Sequence, residues 1–309
     1  MNIRPFVPSD AEILYDLYSG LSPLIPSHPR VEYQQFSRQL HSTLWTEWPQ
    51  YYPAIPRGHF LPENNISLVA TINDRPVAFA TGAFLEEPGE YLPARTGLLR
   101  FLFSKADQKH TSTALIHKIV EHTRNFGHSH FFGLHYSHGP LFHNFGSALL
   151  STTWAWMGQS FLEAGFDPVV DRYTMRRTLA YPIKRLPLAA GIEMRPAGKL
   201  GYTNGTCDYC HMLFRNGEQI ALCECYFGEK MVQGTGQNTL YIAELFVEDA
   251  YRGQGLARFS VRDAMAHAKS AGAVEVILRT EFDNFPAISL YHREGFELVD
   301  TLCWFRLRT

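Results

Sequence analysis

Several features that commonly decide function are missing from this chain of 309 residues. It has no surplus of either charge: 28 Lys and Arg stand against 30 Asp and Glu, a formal charge of −2. That balance provides no electrostatic footprint for nucleic acid or an anionic membrane, so neither partner is expected. No stretch reaches the ~18 apolar residues that a membrane-spanning helix needs. The opening Met1-Asn2-Ile3-Arg4-Pro5-Phe6 has no basic segment leading into an apolar run. A secretory leader is therefore not expected, and a cytoplasmic protein is. Five cysteines in a chain of this size do not make a disulfide framework. The Gly-x-Ser-x-Gly elbow of serine hydrolases is also absent.

Apolar material is plentiful. Hydrophobic residues make up 45% and charged residues 19%, a globular composition with enough for two cores. Aromatics are in excess at 14%, with 22 Phe and 15 Tyr. Between Tyr181 and Gly191, Pro182 and Pro187 forbid a regular element, which marks 181–190 as a linker. The expected domains are therefore 1–180 and 191–309.

The two halves share an order of elements. In the second, an alternating strand over 207–214, a turn at Asn216-Gly217 and a strand over 219–227 form a hairpin. A strand over 239–247 follows, then a helix with Ala257, Val261, Ala264, Met265, Ala268 and Ala271 as its buried stripe. Gly272 stops that helix; a strand over 273–280, a short helix over 286–294 and a final strand or pair over 296–307 complete the half. The first half has a hairpin around Asn73-Asp74, a strand over 98–103, a helix over 113–125, a strand over 129–136, and a later helix ending at Gly165-Phe166, which matches Gly295-Phe296. A repeat of roughly 130–145 residues indicates duplication of a whole domain. Only the first half carries two extra helices before its hairpin, over 10–19 and 31–45.

The most informative segment is Leu245-Phe246-Val247-Glu248-Asp249-Ala250-Tyr251-Arg252-Gly253-Gln254-Gly255-Leu256-Ala257. A strand enters a loop with two glycines, and the loop opens an amphipathic helix. Backbone N–H groups can converge there on an anion, favoured by the helix dipole. A third glycine for dinucleotide binding is lacking, and no Gly-Lys-Ser/Thr follows. Arg252-x-x-Gly255-x-Ala257 instead resembles the signature of the GCN5-related N-acetyltransferase (GNAT) superfamily. The later Asn284-x-x-Ala287-x-x-x-Tyr291-x-x-x-Gly295-Phe296 is similar to that family's second conserved segment.

The resemblance implies an α/β protein of two tandem GNAT-like domains, each a mixed, mostly antiparallel, splayed sheet flanked by helices. It implies acetyl-coenzyme A as acyl donor, with no metal. Backbone N–H groups of Gly253, Gln254, Gly255, Leu256 and Ala257, extending to Arg258, would hold the pyrophosphate, with Arg252 adding positive charge. Phe246 and Val247 would pair with the pantetheine arm, Asn284 would contact that arm, and Tyr291 would lie near the sulfur. Amine attack on a thioester needs a base, oxyanion donors and a proton for the departing thiolate. Tyr291 is the candidate acid and Glu244 the candidate base, with Glu281 and Asp283 as weaker sites for a cationic amine. The expected acceptor is a small-molecule or peptide amine. Another acyl chain, a thiol or hydroxyl acceptor, and a non-catalytic coenzyme A-binding or interaction role remain alternatives.

At the matching junction the first half reads Ser104-Lys105-Ala106-Asp107-Gln108-Lys109-His110, without glycine. Counting back from the Gly-Phe pairs sets Phe161 against Tyr291 and Trp154 against Asn284. The first domain is expected to be a degenerate copy with a structural or acceptor-binding role, Lys105, Lys109 and His110 leaving room for an anion. Its aromatics could wall the acceptor site; Trp45, Trp48, Tyr51 and Tyr52 are read first as core or interface packing, with that wall as the alternative. A two-residue turn at Asn216-Gly217 places Cys210 opposite Cys223, with Cys225 on that face and Cys207 on the other, so buried thiols are expected rather than zinc. Eleven of the 14 histidines fall within residues 1–143; His128, His130, His135 and His138 are read as polar or packing residues.

Overall fold

The computed structural model describes residues 1–26, 28, 31–41, 63–88, 92–135, 139–140, 143, 147–196, 208–227 and 238–308. Trp45, Trp48, Tyr51, Tyr52, Cys207 and His138 lie outside the described residues. No described helix is long and apolar enough to cross a membrane. The chain divides into two compact units, the first of residues 1–50, 55–171 and 300–309, the second of residues 51–54 and 172–299. The proline-bearing stretch 181–190 has no regular structure, but the units do not divide there. The strand before it and the last strand of the chain each contribute to both units.

In the first unit, β1 (Asn2–Pro5), β2 (Glu63–Ile72), β3 (Arg75–Leu85), β4 (Thr96–Ser104) and β5 (His130–Gly133) lie side by side in that order. The last strand, β13 (Glu297–Leu307), pairs with β5 through Phe305 and Arg306, and with the short β6 (Leu150–Ser151) through Leu302 and Cys303. The hairpin between β2 and β3 turns at Asn73 and Asp74, both left-handed at φ 49° and 59°, as a two-residue turn requires. Helices α1 (Ala11–Leu21), α2 (Tyr33–His41), α3 (Lys109–Arg124) and α4 (Ala155–Glu163) complete the unit. Leu115, Ile116 and Ile119 of α3 are wholly buried, one helical face turned to the core. α2 begins at Tyr33 rather than at the expected 31, and residues 42–45 lie outside the described residues.

In the second unit, the 172–178 part of β7 (Phe166–Thr178) neighbours β12 (Glu275–Glu281), followed by β11 (Thr239–Val247), β10 (Glu218–Phe227), β9 (Tyr209–Arg215) and β8 (Glu193–Pro196). α5 (Leu256–Ser270) connects β11 to the parallel β12, and α6 (Phe285–Arg293) follows β12. The buried residues of α5 include Val261, Ala264, Met265 and Ala268, the stripe expected from the sequence.

One expected register is corrected. The β9–β10 hairpin turns at Asn216-Gly217, but a bulge between Gln219 and Ala221 shifts the pairing by one residue. Cys223 therefore faces His211, and Cys210 faces Glu224. Cys223 and Cys225 remain neighbours, Sγ to Sγ 3.7 Å, both fully buried. No group of three or more metal-ligating side chains is found among the described residues.

The C-terminal strand contributes to the first unit's core. Phe305 is 2% exposed and stacks on Phe161 at 4.0 Å with rings 7° from parallel. Phe305→Ala should cost about 3–5 kcal/mol, measured as a lower urea midpoint. An unchanged midpoint would show that the stack contributes no stability.

Candidate active site

The site begins with one extra residue. Along β10 and β11, Glu224 pairs with Glu244 and Cys225 with Ile242, so Ala243 bulges out of the ladder. A bulge bends the strand that carries it. Before the bulge β11 is fully paired with β12, Thr239 to Glu275 through Ile242 to Leu278. Beyond it the two strands part, although β12 stays paired to β7 as far as Glu281 opposite Arg172. Ala243, Glu244 and Phe246 are exposed along this opening. Peptide groups on a parted strand edge need new partners, and an extended, amide-bearing ligand can supply them.

The strand leads straight to the glycine loop. A single 3-10 turn, Asp249–Tyr251, follows β11, and Glu248 N–H closes the junction on Ile220 C=O at 2.9 Å. Gly253 and Gly255 both adopt left-handed φ, 77° and 81°. Nothing lies within 4 Å of where a Cβ would sit on either, so conformation, not crowding, requires glycine here. Gly255 caps α5 without a side-chain hydrogen bond, leaving the first N–H groups of the helix without a partner among the described residues. Arg252 turns back, Nε donating to Val247 C=O at 3.2 Å and the guanidinium pairing with Asp249 at 2.7 Å. Leu256 is buried beneath the loop.

Tyr291 lies on α6, only 6% exposed. Burial first, then the nearby Cys223, Glu244 and Tyr241, push its phenol pKa well above the ordinary value. Glu244 can be reached by solvent, yet surrounding protein raises its pKa, an effect opposed by the Arg172 charge. The structure thus brings the two expected catalytic side chains into one electrostatic neighbourhood. Asn284 has a local duty that was not foreseen: it caps α6, Oδ1 accepting from Ala287 N–H at 3.3 Å. Glu281, the last residue of β12, and Asp283, in the turn before α6, are both exposed.

The first unit repeats this construction and then fills it. β4 carries the same single-residue bulge at Arg100, pairs with β5 only from Thr96 to Leu99, and leads into a 3-10 turn, Ala106–Gln108. There α3 starts at once with Lys109, whereas Arg252-Gly253-Gln254-Gly255 separate turn and helix in the second unit. The residues past the bulge, Arg100 to Ser104, are all at most 3% exposed. Phe101 packs on Tyr18 and His143, and Trp156 Nε1 donates to Ser104 C=O at 3.2 Å. Trp154 takes the cap position of α4 that Asn284 holds on α6. Lys109, a possible anion ligand from the sequence, is paired with Glu163 at 3.0 Å.

Residues 180–296 match the acetyltransferase (GNAT) family. Over that stretch the second unit is similar in sequence to GNAT-family acetyltransferases. A tandem GNAT protein from the clavulanic acid biosynthesis pathway aligns over 99% of this chain and 97% of its own, with TM-score 0.64 and 12% identity. A GCN5-related N-acetyltransferase of Sphaerobacter thermophilus aligns over 99% and 94%, with TM-score 0.62 and 14% identity. At these identities the likeness establishes the fold: α/β, with the GNAT architecture across the whole chain. Among curated proteins, N-alpha-acetyltransferase 30 of Schizosaccharomyces pombe is 45% identical over 56 residues, 18% of this chain and 37% of that protein. N-alpha-acetyltransferase MAK3 of Arabidopsis thaliana is 34% identical over 87 residues, covering 28% and 44%. The chain spans under half of the length of these relatives.

The open space around Gly255 makes its test clean. Gly255→Ala forces a side chain into left-handed φ at about 1–2 kcal/mol, with no clash to propagate. Coenzyme A titrated by calorimetry should bind about tenfold more weakly, the melting temperature moving by only a few degrees. Unchanged affinity would remove the loop from the binding site.

Proposed function

We propose that the second unit is an N-acetyltransferase that moves an acetyl group from acetyl-coenzyme A to a primary amine by direct attack in a ternary complex. The supporting observation is that residues 243–291 of the second unit provide a parted strand edge, a helix start behind left-handed glycines without a side-chain cap, and a buried tyrosine. These residues fit the donor's polar groups in order. Amides from Gly253 to Arg258 would take the pyrophosphate, and the main chain at Phe246 and Val247 the pantetheine arm. Bound acetyl-coenzyme A supplies an activated acetyl carbonyl and a sulfur leaving group.

Glu244 accepts a proton from the amine, directly or through water, as the nitrogen attacks. Tyr291, kept protonated by its burial, donates to the departing sulfur. The strand-edge N–H groups stabilise negative charge on the carbonyl oxygen. An amine acceptor accords with the names of the two N-alpha-acetyltransferases, a peptide N-terminus being one such amine. The first unit, its slot filled, serves structure or the acceptor.

Thiol release from acetyl-coenzyme A against a panel of peptide and small amines tests the function. Tyr291→Phe should lower kcat about 100-fold with little change in KM for the donor. Full activity in that variant would end the acid assignment. Coenzyme A binding without turnover on any acceptor would instead indicate a binding protein. Glu244 acts only when ionised, so the rate should fall as pH drops through its pKa, at a midpoint above the ordinary glutamate value of about 4.3. Glu244→Gln should abolish that limb and leave only the acceptor's own titration; an unchanged profile would place the base elsewhere.

A further inference from the structure

α6 and α5 of the second unit each place one charged residue at an end where the helix dipole disfavours it. Their last turns also carry favourable basic residues, His292 and Arg293 on α6 and His267 and Lys269 on α5. Glu294 caps the C-terminus of α6, where a carboxylate meets the negative end of the helix. Arg258 lies in the first turn of α5, at the positive end, and Arg262 lies one turn further on. The mismatches answer each other. Arg258 Nε donates to one Glu294 oxygen at 2.6 Å, and Arg262 Nε to the other at 2.6 Å. The Glu294 side chain is 0% exposed, while Arg258 is half in solvent. The Arg177 guanidinium packs beside Gly295, a third positive charge near the same carboxylate.

A buried carboxylate at a helix C-terminus is costly unless charged partners compensate, and two arginines one turn apart on the neighbouring helix do so. What they join is specific. Arg258 follows the glycine loop by three residues, and Glu294 follows Tyr291 by three. The first unit, without the loop, has Ala164 where Glu294 stands, and Thr111 and Leu115 at the helix positions of Arg258 and Arg262.

We propose that Glu294 is a positioning residue. It latches α6 to the start of α5 and so sets the distance between the phosphate-binding loop and the Tyr291 hydroxyl. The proposal rests on the acetyltransferase reading for its effect on turnover, but not for its effect on helix docking or coenzyme A affinity.

The test compares Glu294→Gln, Arg262→Gln and the double variant in three measurements: amide exchange of the ligand-free protein, calorimetric binding of coenzyme A, and kcat with KM. Each single variant should speed exchange at residues 290–295 and weaken coenzyme A binding about tenfold. Each should also lower kcat, and the double variant should cost little more than either single one. If Glu294→Gln fails to fold, Arg262→Gln carries the same comparison. A variant that melts earlier yet binds coenzyme A and turns over like the wild type would overturn the proposal, leaving a purely structural ion pair. A wild-type protein that binds coenzyme A without turnover would sink the transferase reading alone, the latch still being read in affinity and exchange. Absence of coenzyme A binding by the wild type would overturn both.

Discussion

Everything proposed for the second unit depends on the parting of β11 from β12 after the bulge at Ala243. Backbone N–H and C=O groups are obligate hydrogen-bonders, and a sheet interior normally satisfies them by pairing. Here a single inserted residue ends that pairing in the middle of a sheet. The exposed edge leads to the glycine loop, whose helix-start amides have no partner among the described residues. Strand edge and helix start together form one continuous run of backbone donors and acceptors. That run suits a long, flexible ligand with amides at one end and a pyrophosphate at the other, and it needs no basic surface.

The first unit shows that the parting alone is insufficient. Its bulge at Arg100 and its four parallel pairs are congruent with those of the second unit. Two local changes divert it to a different end. Absence of the four loop residues brings the 3-10 turn directly against α3, and Trp156 caps the strand-end carbonyl. Much of the aromatic excess noted in the composition sits here, around Tyr18, Phe101, Phe103 and Trp154, as core packing. An aromatic ring buries more apolar area than most side chains, so filling a slot with rings turns a ligand site into stabilising core.

Local chemistry made much of this legible in the sequence. Asn73-Asp74 and Asn216-Gly217 announced their turns because both need positive φ. The stripe on α5 announced its buried face, and Gly253 and Gly255 announced the loop that opens the helix. Long-range pairing was not legible. Bulges leave no period-two signature, so the shift that sets Cys223 opposite His211 could not be read from turn length. Neither could the placement of Phe305 in the core of the first unit, since one strand reads alike whichever sheet receives it. Asn284 was noticed for its family position, while its cap to Ala287 follows from an ordinary helix rule. Glu294 did carry a signal, an acidic residue at a helix C-terminus, where local electrostatics disfavours it.

The central claim is that one fold is used twice and only one copy keeps an open donor slot. Coenzyme A stoichiometry, measured together with amide protection in the complex, tests it most directly. One molecule per chain, with protection confined to residues 243–258 and 284–291, is the predicted result. Two molecules per chain, or protection at residues 100–113, would contradict it.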